Sequence, residues 1–237
     1  MLVNCDVKSL EVFVAADWYD DKVLKDELLR KLDLHSINQE RFKLPDRVTA
    51  KRFIFKLLYG ATAYGYSVDS DFLGVGYSER RWQAVIDEFY NKYRDIGKGH
   101  ERDIKFVKEH GYLEIPSGRY FKYQPTTYRG EKKWPLTKIK NYPIQGFGAD
   151  LVKLARIKAF NDFKSSGMEG EFVGTIHDSL IYDVPEENVM AVAKILHNAV
   201  AETPEMCYNI YGYKFSLPLF CEIQFGLNKF DMKEITL

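Results

Sequence analysis

Apolar residues recur at two spacings along the chain, one typical of helices and the other of strands. Over 79–93 the apolar positions share one helical face, and the other face is charged; the apolar set is Trp82, Val85, Ile86, Phe89, Tyr90 and Tyr93. Asp46 is suited to cap a helix that no proline or glycine interrupts before Gly60. Helical spacing predicts helices over 10–15, 19–34, 46–64, 79–93, 146–163 and 187–200.

Strands are predicted where apolar and polar residues alternate. Two runs rich in β-branched and aromatic residues, 172–176 and 180–184, predict a hairpin. The residues at its tip are His177, Asp178 and Ser179. Further strand segments are the opening residues up to Asp6, a hairpin within 111–125, and 217–226. We therefore expect an α+β fold, an antiparallel sheet with packed helices that is interrupted by a mostly helical insertion.

Composition narrows the class of protein without defining a function. With 237 residues, of which 46% are hydrophobic, the chain can bury one good core or two modest ones. Its 34 basic residues balance 34 acidic ones, so any contact with nucleic acid must come from local clusters of charge. No apolar run is long enough to span a membrane, and three cysteines without CxxC spacing fit a reducing compartment. A cytoplasmic protein with no membrane partner is the expectation.

A row of cationic and aromatic residues lines one face of the helix predicted over 46–64. Its members, at steps of four residues, are Arg47, Lys51, Phe55 and Tyr59. At about 1.5 Å per residue the row is roughly 18 Å long, close to the length of a nucleoside triphosphate. The cations could hold its phosphates and the rings could stack on its base or sugar. Aromatic residues at helical spacing are more often core, however, and cations on a helix more often point into water.

Two aspartates lie at predicted strand ends, Asp6 after the first strand and Asp178 at the hairpin tip. Phosphoryl transfer requires positioned charge, which a pair of Mg²⁺ ions held by carboxylates supplies. If the two strands are neighbours in one sheet, the two carboxylates meet. A single aspartate in a turn is more often a local hydrogen-bonding group, so spacing alone leaves both interpretations open.

Four segments, taken in order, resemble the motifs of family A DNA polymerases. DVKSLE resembles motif A, RVTAKRFIFKLLYG motif B, NYPIQG the N-x-P-x-Q-G segment, and TIHDS the His-Asp core of motif C. The resemblance extends from about residue 2 to residue 230. IKNYPIQGF and HSINQERF are most similar to phage-encoded members. The implied function is template-directed addition of dNTPs to a primer 3′-OH.

The resemblance implies roles for residues around the metal ions and the substrate sugar. Asp6 and Asp178 become the catalytic metal ligands, with the carbonyl of Val7 as a further ligand. Two Mg²⁺ ions are implied, with Mn²⁺ as a possible substitute. Glu11 takes the steric-gate position that excludes ribonucleotides. His177 is placed near the primer terminus.

Further implied roles concern the nucleotide and the DNA. Arg47 and Lys51 bind the triphosphate, and His35 approaches its phosphates. Phe55 stacks near the sugar and base of the nucleotide. The implied DNA contacts are Tyr59 and Gly60 beside the template base, Arg119 and Lys140 on the template strand, and Asn141 and Gln145 in the duplex minor groove.

The resemblance also implies a domain organisation. Residues 1–16 and 141–237 correspond to the palm, and 17–140 to the fingers, including the nucleotide-binding helix 46–64. Because family members carry a thumb and the first part of the palm before motif A, we expect a second polypeptide to supply both. That would make the chain the C-terminal half of a split polymerase, and the partner could also carry a 3′–5′ exonuclease. A bacterial cytoplasm, with a phage as the source of the gene, is the expected location.

The sequence departs from the family pattern at motif C, where Ser179 replaces a glutamate. Lys8 and Phe13 also replace a small polar residue and an arginine in motif A. From Ser179 we expect slower or metal-sensitive catalysis, and from Lys8 and Phe13 we expect different contacts around the primer. Two alternatives remain: a non-catalytic subunit that binds primer-template, and a metal-dependent nuclease using the same aspartates.

Overall fold

The computed structural model describes residues 1–237 and divides into two compact units. The sheet unit consists of Met1–Leu10 and Gly146–Leu237, and the helical unit of Glu11–Gln145. The helices are α1 (Leu10–Trp18), α2 (Lys22–Leu29), α3 (Leu34–Phe42), α4 (Arg47–Leu58), α5 (Ala63–Val68), α6 (Glu79–Lys92), α7 (Arg94–His110), α8 (Leu136–Ser166), α9 (Val189–Ala201) and α10 (Thr203–Tyr211). The strands are β1 (Leu2–Val7), β2 (Tyr112–Glu114), β3 (Tyr120–Lys122), β4 (Thr126–Tyr128), β5 (Glu131–Lys133), β6 (Glu171–Ile176), β7 (Ser179–Asp183), β8 (Cys221–Gly226) and β9 (Lys233–Ile235).

The sheet unit is built on five antiparallel strands in the order β6-β7-β1-β8-β9. β1 is the central strand, and its residues alternate in exposure as the pleat requires. Val3, Cys5 and Val7 are buried, whereas Asp6 and the other even-numbered residues are partly exposed. Helix α9 packs against β1 and β8. The expected α+β fold with an antiparallel sheet is confirmed.

The helical unit has a core of aromatic rings from successive helices. Trp82 of α6 stacks on Phe53 of α4 at a centroid distance of 6.0 Å and on Tyr66 of α5 at 5.0 Å. The Tyr66 hydroxyl donates a hydrogen bond of 2.7 Å to the carbonyl of Phe53, which satisfies the polar end of a buried ring. Because α4 packs through the face that carries Phe53, its opposite face is turned outward.

A buried ion pair joins three helices of the same unit. The Lys92 ammonium on α6 lies 2.8 Å from a carboxylate oxygen of Glu27 on α2 and donates a 2.7 Å hydrogen bond to Asn38 on α3. The Tyr93 hydroxyl donates to Glu27 at 2.7 Å and lies within hydrogen-bond distance of Asn38. Burial lowers the pKa of Lys92, while the bond to Glu27 opposes that shift. The ammonium is therefore tolerated only because its partners are present.

Several sequence-based element boundaries are wrong, each for a local reason. The helix predicted over 46–64 ends at Leu58, because Gly60 adopts a φ of +84° that breaks it before α5 begins. The helix predicted from 146 begins at Leu136 and runs through Pro143. The segment predicted as one helix over 19–34 contains the shorter α2. No helix combines the length and apolarity needed to cross a membrane.

We expect Glu27→Leu to lower the free energy of unfolding by about 3–5 kcal/mol, because it leaves the Lys92 ammonium buried without its partner. The double variant Glu27→Leu/Lys92→Met should cost less than the single one, since Asn38 and Tyr93 can still bond each other. Urea denaturation measures both. The matched control is Asp26→Ala, which removes the exposed Asp26–Arg30 pair of the same helix and should cost less than about 1 kcal/mol. A single variant as stable as this control would contradict the assigned role.

Candidate active site

The two candidate metal-binding aspartates lie at neighbouring strand ends of the sheet unit. Asp6 on β1 is directly opposite Ser179, the first residue of β7, in the antiparallel register. Asp178 precedes Ser179, and its carbonyl accepts a 3.2 Å hydrogen bond from the amide of Val7. Both aspartates are partly exposed. The sheet thus brings together two aspartates that are 172 positions apart in the sequence.

Local turns place these residues at the strand ends. His177 adopts a left-handed φ of 53° between β6 and β7, and with Asp178 it forms the hairpin loop, because Ile176 pairs with Ser179. Ser179 belongs to β7 itself, so the loop is one residue shorter than predicted. After Val7, Ser9 adopts a φ of 50° and the chain turns into α1. His177 is exposed beside Asp178 in this loop.

The Asp6 carboxylate has a polar neighbour on each flanking strand. The Ser179 hydroxyl donates a 2.7 Å hydrogen bond to its Oδ2 atom. On the other side, Glu222 of β8 is opposite Asp6 in register, and its carboxylate lies 3.5 Å from the Lys8 ammonium and accepts a 2.8 Å bond from Gln224. Glu222 was not predicted as a site residue, because none of the four motif segments in the sequence includes it.

The donor set at these strand ends fits Mg²⁺. Asp6 and Asp178 offer carboxylate oxygens, and Val7 offers a main-chain carbonyl at the end of β1. No group of three or more His, Cys, Asp or Glu side chains is arranged to hold a metal ion anywhere in the chain. Mg²⁺ usually binds one or two carboxylates and completes its shell with water and substrate phosphate, so a two-carboxylate site is sufficient for it.

The predicted cationic and aromatic row lies on the outward face of α4. The buried side chains of this helix are Thr49, Ala50, Phe53, Ile54, Leu57 and Leu58. Arg47 and Lys51 are exposed, and Phe55 and Tyr59 are partly exposed. The alternative interpretation of this spacing, that the row belongs to the core, is therefore wrong.

Arg47 is held by an aspartate that sequence reasoning did not select. Its Nε donates to both carboxylate oxygens of Asp33, at 2.8 and 3.2 Å. Asp33 also caps α3 by accepting hydrogen bonds from the amides of His35 and Ser36. The hydrogen bond from Arg47 holds the pKa of Asp33 well below its usual range. In the sequence, the D-x-x-S pattern from Asp33 to Ser36 predicts the helix cap. Nothing in the pattern predicts the bond to Arg47.

His35 lies beside the same row. Its ring centroid is 6.3 Å from that of Phe55. Burial lowers the pKa of His35, and the charges of Arg47 and Lys51 lower it further. The structure therefore groups His35 with Arg47, Lys51 and Phe55, and a neutral imidazole is expected among them near pH 7.

The C-terminal end of the row is connected to two other helices of the helical unit. The Tyr59 hydroxyl donates a 2.8 Å hydrogen bond to Glu11 on α1. Gly60 packs closely on α8, because a Cβ atom at this position would lie 3.0 Å from the Cα of Thr137. Any larger residue at 60 would meet both this contact and a strained φ. The structure thus brings Glu11 and Tyr59 together, a contact that was not predicted from the sequence.

The remaining candidates for DNA contact lie in two places on the helical unit. Asn141 and Gln145 are one turn apart on α8; Gln145 is exposed, and the buried Oδ1 of Asn141 has no hydrogen-bond partner. Lys140 is half-buried, with its ammonium 6.0 Å from the Tyr90 ring centroid, and burial lowers its pKa. Arg119 is exposed after Gly118, in the turn between β2 and β3.

A sequence model described as DNA polymerase family A matches residues 1–231. The chain belongs to the family A DNA polymerases. The match covers both units and all four motifs from which the resemblance was drawn. It confirms the family, while the roles of individual residues remain predictions.

Known relatives of this family A chain are longer proteins. DNA polymerase I of Caldicellulosiruptor bescii is 25% identical to the chain. The aligned region includes 98% of the chain and 27% of that relative. The DNA polymerase of Bacillus phage SP01 is 24% identical over 100% of the chain, again with 27% of the relative covered. The chain therefore spans about a quarter of the length of these relatives.

A solved structure has the same fold. The POL domain of Pol1 from M. smegmatis, in complex with DNA primer-template and dNTP, matches 95% of the chain with a TM-score of 0.78. The chain covers 39% of that protein and is 20% identical to it. At this identity the likeness supports the fold alone.

We expect the pKa of His35 to lie below its ordinary value and to rise in Lys51→Met, because one of the nearby positive charges is removed. NMR titration of the imidazole resonances measures the pKa in both proteins. Lys105→Met, an exposed lysine on α7, is the control and should leave the His35 pKa unchanged. A His35 pKa that does not respond to the loss of Lys51 would contradict the grouping.

Proposed function

We propose that this chain carries the catalytic centre of a template-directed DNA polymerase, which adds dNTPs to a primer 3′-OH. The observation that supports it most directly is the pairing of β1 with β7, which brings Asp6 and Asp178 to neighbouring strand ends. Two carboxylates in such an arrangement suit the metal-dependent displacement of pyrophosphate by a primer hydroxyl. We assign residues 1–16 and 141–237, which include the sheet unit, to the palm, and residues 17–140, which lie within the helical unit, to the fingers.

Asp6, Asp178 and the Val7 carbonyl would hold the divalent cations. When bound, a pair of Mg²⁺ ions would neutralise charge on the phosphates and favour ionisation of the primer hydroxyl. Mn²⁺, with similar oxygen-ligand preferences, would be a substitute. The protein contributes rigidity, since both aspartates belong to paired strands or to the tight loop between them.

The row on α4 would bind the incoming nucleotide. Arg47 and Lys51 would contact its phosphates, with His35 beside them as a further hydrogen-bonding group. Phe55 would stack near the sugar and base. Glu11, held by the Tyr59 hydroxyl, would present its side chain to the sugar and disfavour a 2′-OH.

Primer-template DNA and dNTPs are the proposed partners, as in the M. smegmatis structure, which contains both. Tyr59 and Gly60 would lie beside the template base, and His177 near the primer terminus. The other proposed DNA contacts are Arg119, Lys140, Asn141 and Gln145. A second polypeptide with a thumb and upstream palm remains a prediction.

Primer extension with one dNTP at a time tests the proposed reaction. Asp178→Asn and Asp6→Asn should each lower the rate by at least about a hundredfold, because each removes a charge that holds the metal ions. The control is Asp231→Asn, which changes an exposed carboxylate outside the candidate site. High enzyme and primer-template concentrations offset weak binding of DNA.

The same experiment distinguishes the alternatives. Wild-type protein that shortens the labelled primer would support a nuclease. Wild-type protein that binds primer-template without extending it would support the non-catalytic subunit. Extension that survives in Asp178→Asn would refute the assigned roles of the aspartates.

We expect Lys51→Ala to raise the KM for dNTP more than about tenfold, because it removes a charge-assisted contact to the phosphates. Steady-state extension across a range of dNTP concentrations measures this. Arg52→Ala is the matched control on the same helix, since Arg52 faces Asp71 instead of the row. Equal KM values for wild type and Lys51→Ala would contradict the nucleotide-binding role.

A further inference from the structure

The hydroxyl of Ser179 is built into the immediate surroundings of Asp6. It donates a 2.7 Å hydrogen bond to Asp6 Oδ2, across the β1–β7 pair. Ser179 is only 9% exposed and is flanked by the buried strand residue Leu180. The contact therefore belongs to the framework of the sheet and is more constrained than one between mobile surface side chains.

The opposite flank of Asp6 carries a different kind of group. Glu222 on β8 would repel the Asp6 carboxylate, but Lys8 and Gln224 engage it at 3.5 and 2.8 Å. Asp6 thus lies between the Ser179 hydroxyl on one strand and Glu222 on the other, where the negative charge of Glu222 is balanced by Lys8. A carboxylate at 179 would place acids on both sides of Asp6, whereas a hydroxyl places a donor on one.

We propose that Ser179 is a positioning residue that orients the Asp6 carboxylate for a divalent cation. This inference rests on the proposed function, because it concerns the same metal site. The final torsion of an aspartate is broad and nearly two-fold, so an unrestrained carboxylate samples many orientations. The hydrogen bond to Oδ2 restricts that rotation and leaves lone pairs on both oxygens for a cation.

Such a role would let the site bind a cation with a serine where related motifs carry an acid. With two carboxylates rather than three, the affinity for a cation depends more on how each is oriented. Hydrogen-bond partners of metal ligands typically contribute about ten- to a hundredfold to metal affinity or activity. If Ser179 were only a small residue that fills space at the start of β7, its hydroxyl would have no effect on cation binding.

Binding of Mn²⁺ to the full chain without DNA, followed by EPR of the free ion, separates these possibilities. Ser179→Ala should weaken the tightest Mn²⁺ site by roughly tenfold. Ser179→Cys should weaken it similarly, because a thiol is close to a hydroxyl in shape but is a weak donor. Ser179→Thr retains the hydroxyl and should stay within about threefold of wild type.

Thr175→Val is the matched control. Thr175 is on the adjacent strand β6, pairs with Leu180, and its hydroxyl has no hydrogen-bond partner. Removing it should leave Mn²⁺ binding unchanged. Thermal unfolding of every variant verifies that it is folded, and Ser179→Cys decides the question if the alanine variant is unstable.

The outcomes separate failure of the inference from failure of the proposed function. If Asp6→Asn and Asp178→Asn weaken Mn²⁺ binding but the Ala and Cys variants of Ser179 do not, the positioning role is overturned. It is also overturned if Ser179→Thr weakens binding as much as Ser179→Ala. If neither aspartate variant affects Mn²⁺ binding, the metal site itself is refuted.

Discussion

The register of β1 within its sheet is the constraint on which the candidate site depends. Side chains alternate between the two faces of a strand, so a slip of one residue would move Asp6 to the buried face. Val3 and Cys5 are fully buried and Val7 is 2% exposed, which makes such a slip costly. Burial of apolar residues on one face thus sets the position of an acid on the other, opposite Ser179 and next to Asp178.

The helical unit applies the same principle with a different period. Phe53, Ile54 and Leu57 are buried, and this fixes the rotation of α4 about its own axis. Arg47 and Lys51 must then face outward. In both units, burial of the apolar residues therefore determines the direction in which the candidate functional residues face.

The spacing of apolar residues predicted the helices and strands whose buried face is apolar. It failed where the buried residues are small or polar. The β6–β7 hairpin and α6 were predicted because alternating and helical patterns are clear in them. Helix α7 was missed, although its buried residues keep helical spacing, because three of the five are small or polar. Ile96 and Val107 are apolar, whereas Gly99, His100 and Asp103 are not typical core residues. The start of α8 was placed too late because a proline within a helix is normally a stop signal, and Pro143 lies inside this one.

The candidate site divides in the same way. The α4 row and the two aspartates were found because spacing and motif resemblance point to them. The hydrogen bond that organises the aspartate site was not predicted, because it joins residues remote in sequence. Ser179 and Asp6 are separated by 173 positions. No single-sequence pattern encodes such a pair. The β1–β7 register is what makes it, and register depends on the whole sheet.

The two groups also differ in how they are prepared for a ligand. The aspartates are fixed by strand pairing before any cation arrives. Arg47 is instead paired with Asp33, and their side chains remain 54% and 47% exposed. An ion pair that exposed contributes at most about 1 kcal/mol, so the triphosphate of the proposed nucleotide substrate would displace Asp33 at little cost. Asp33 would then keep its place as the cap of α3, and Arg47 would exchange one anionic partner for a stronger one.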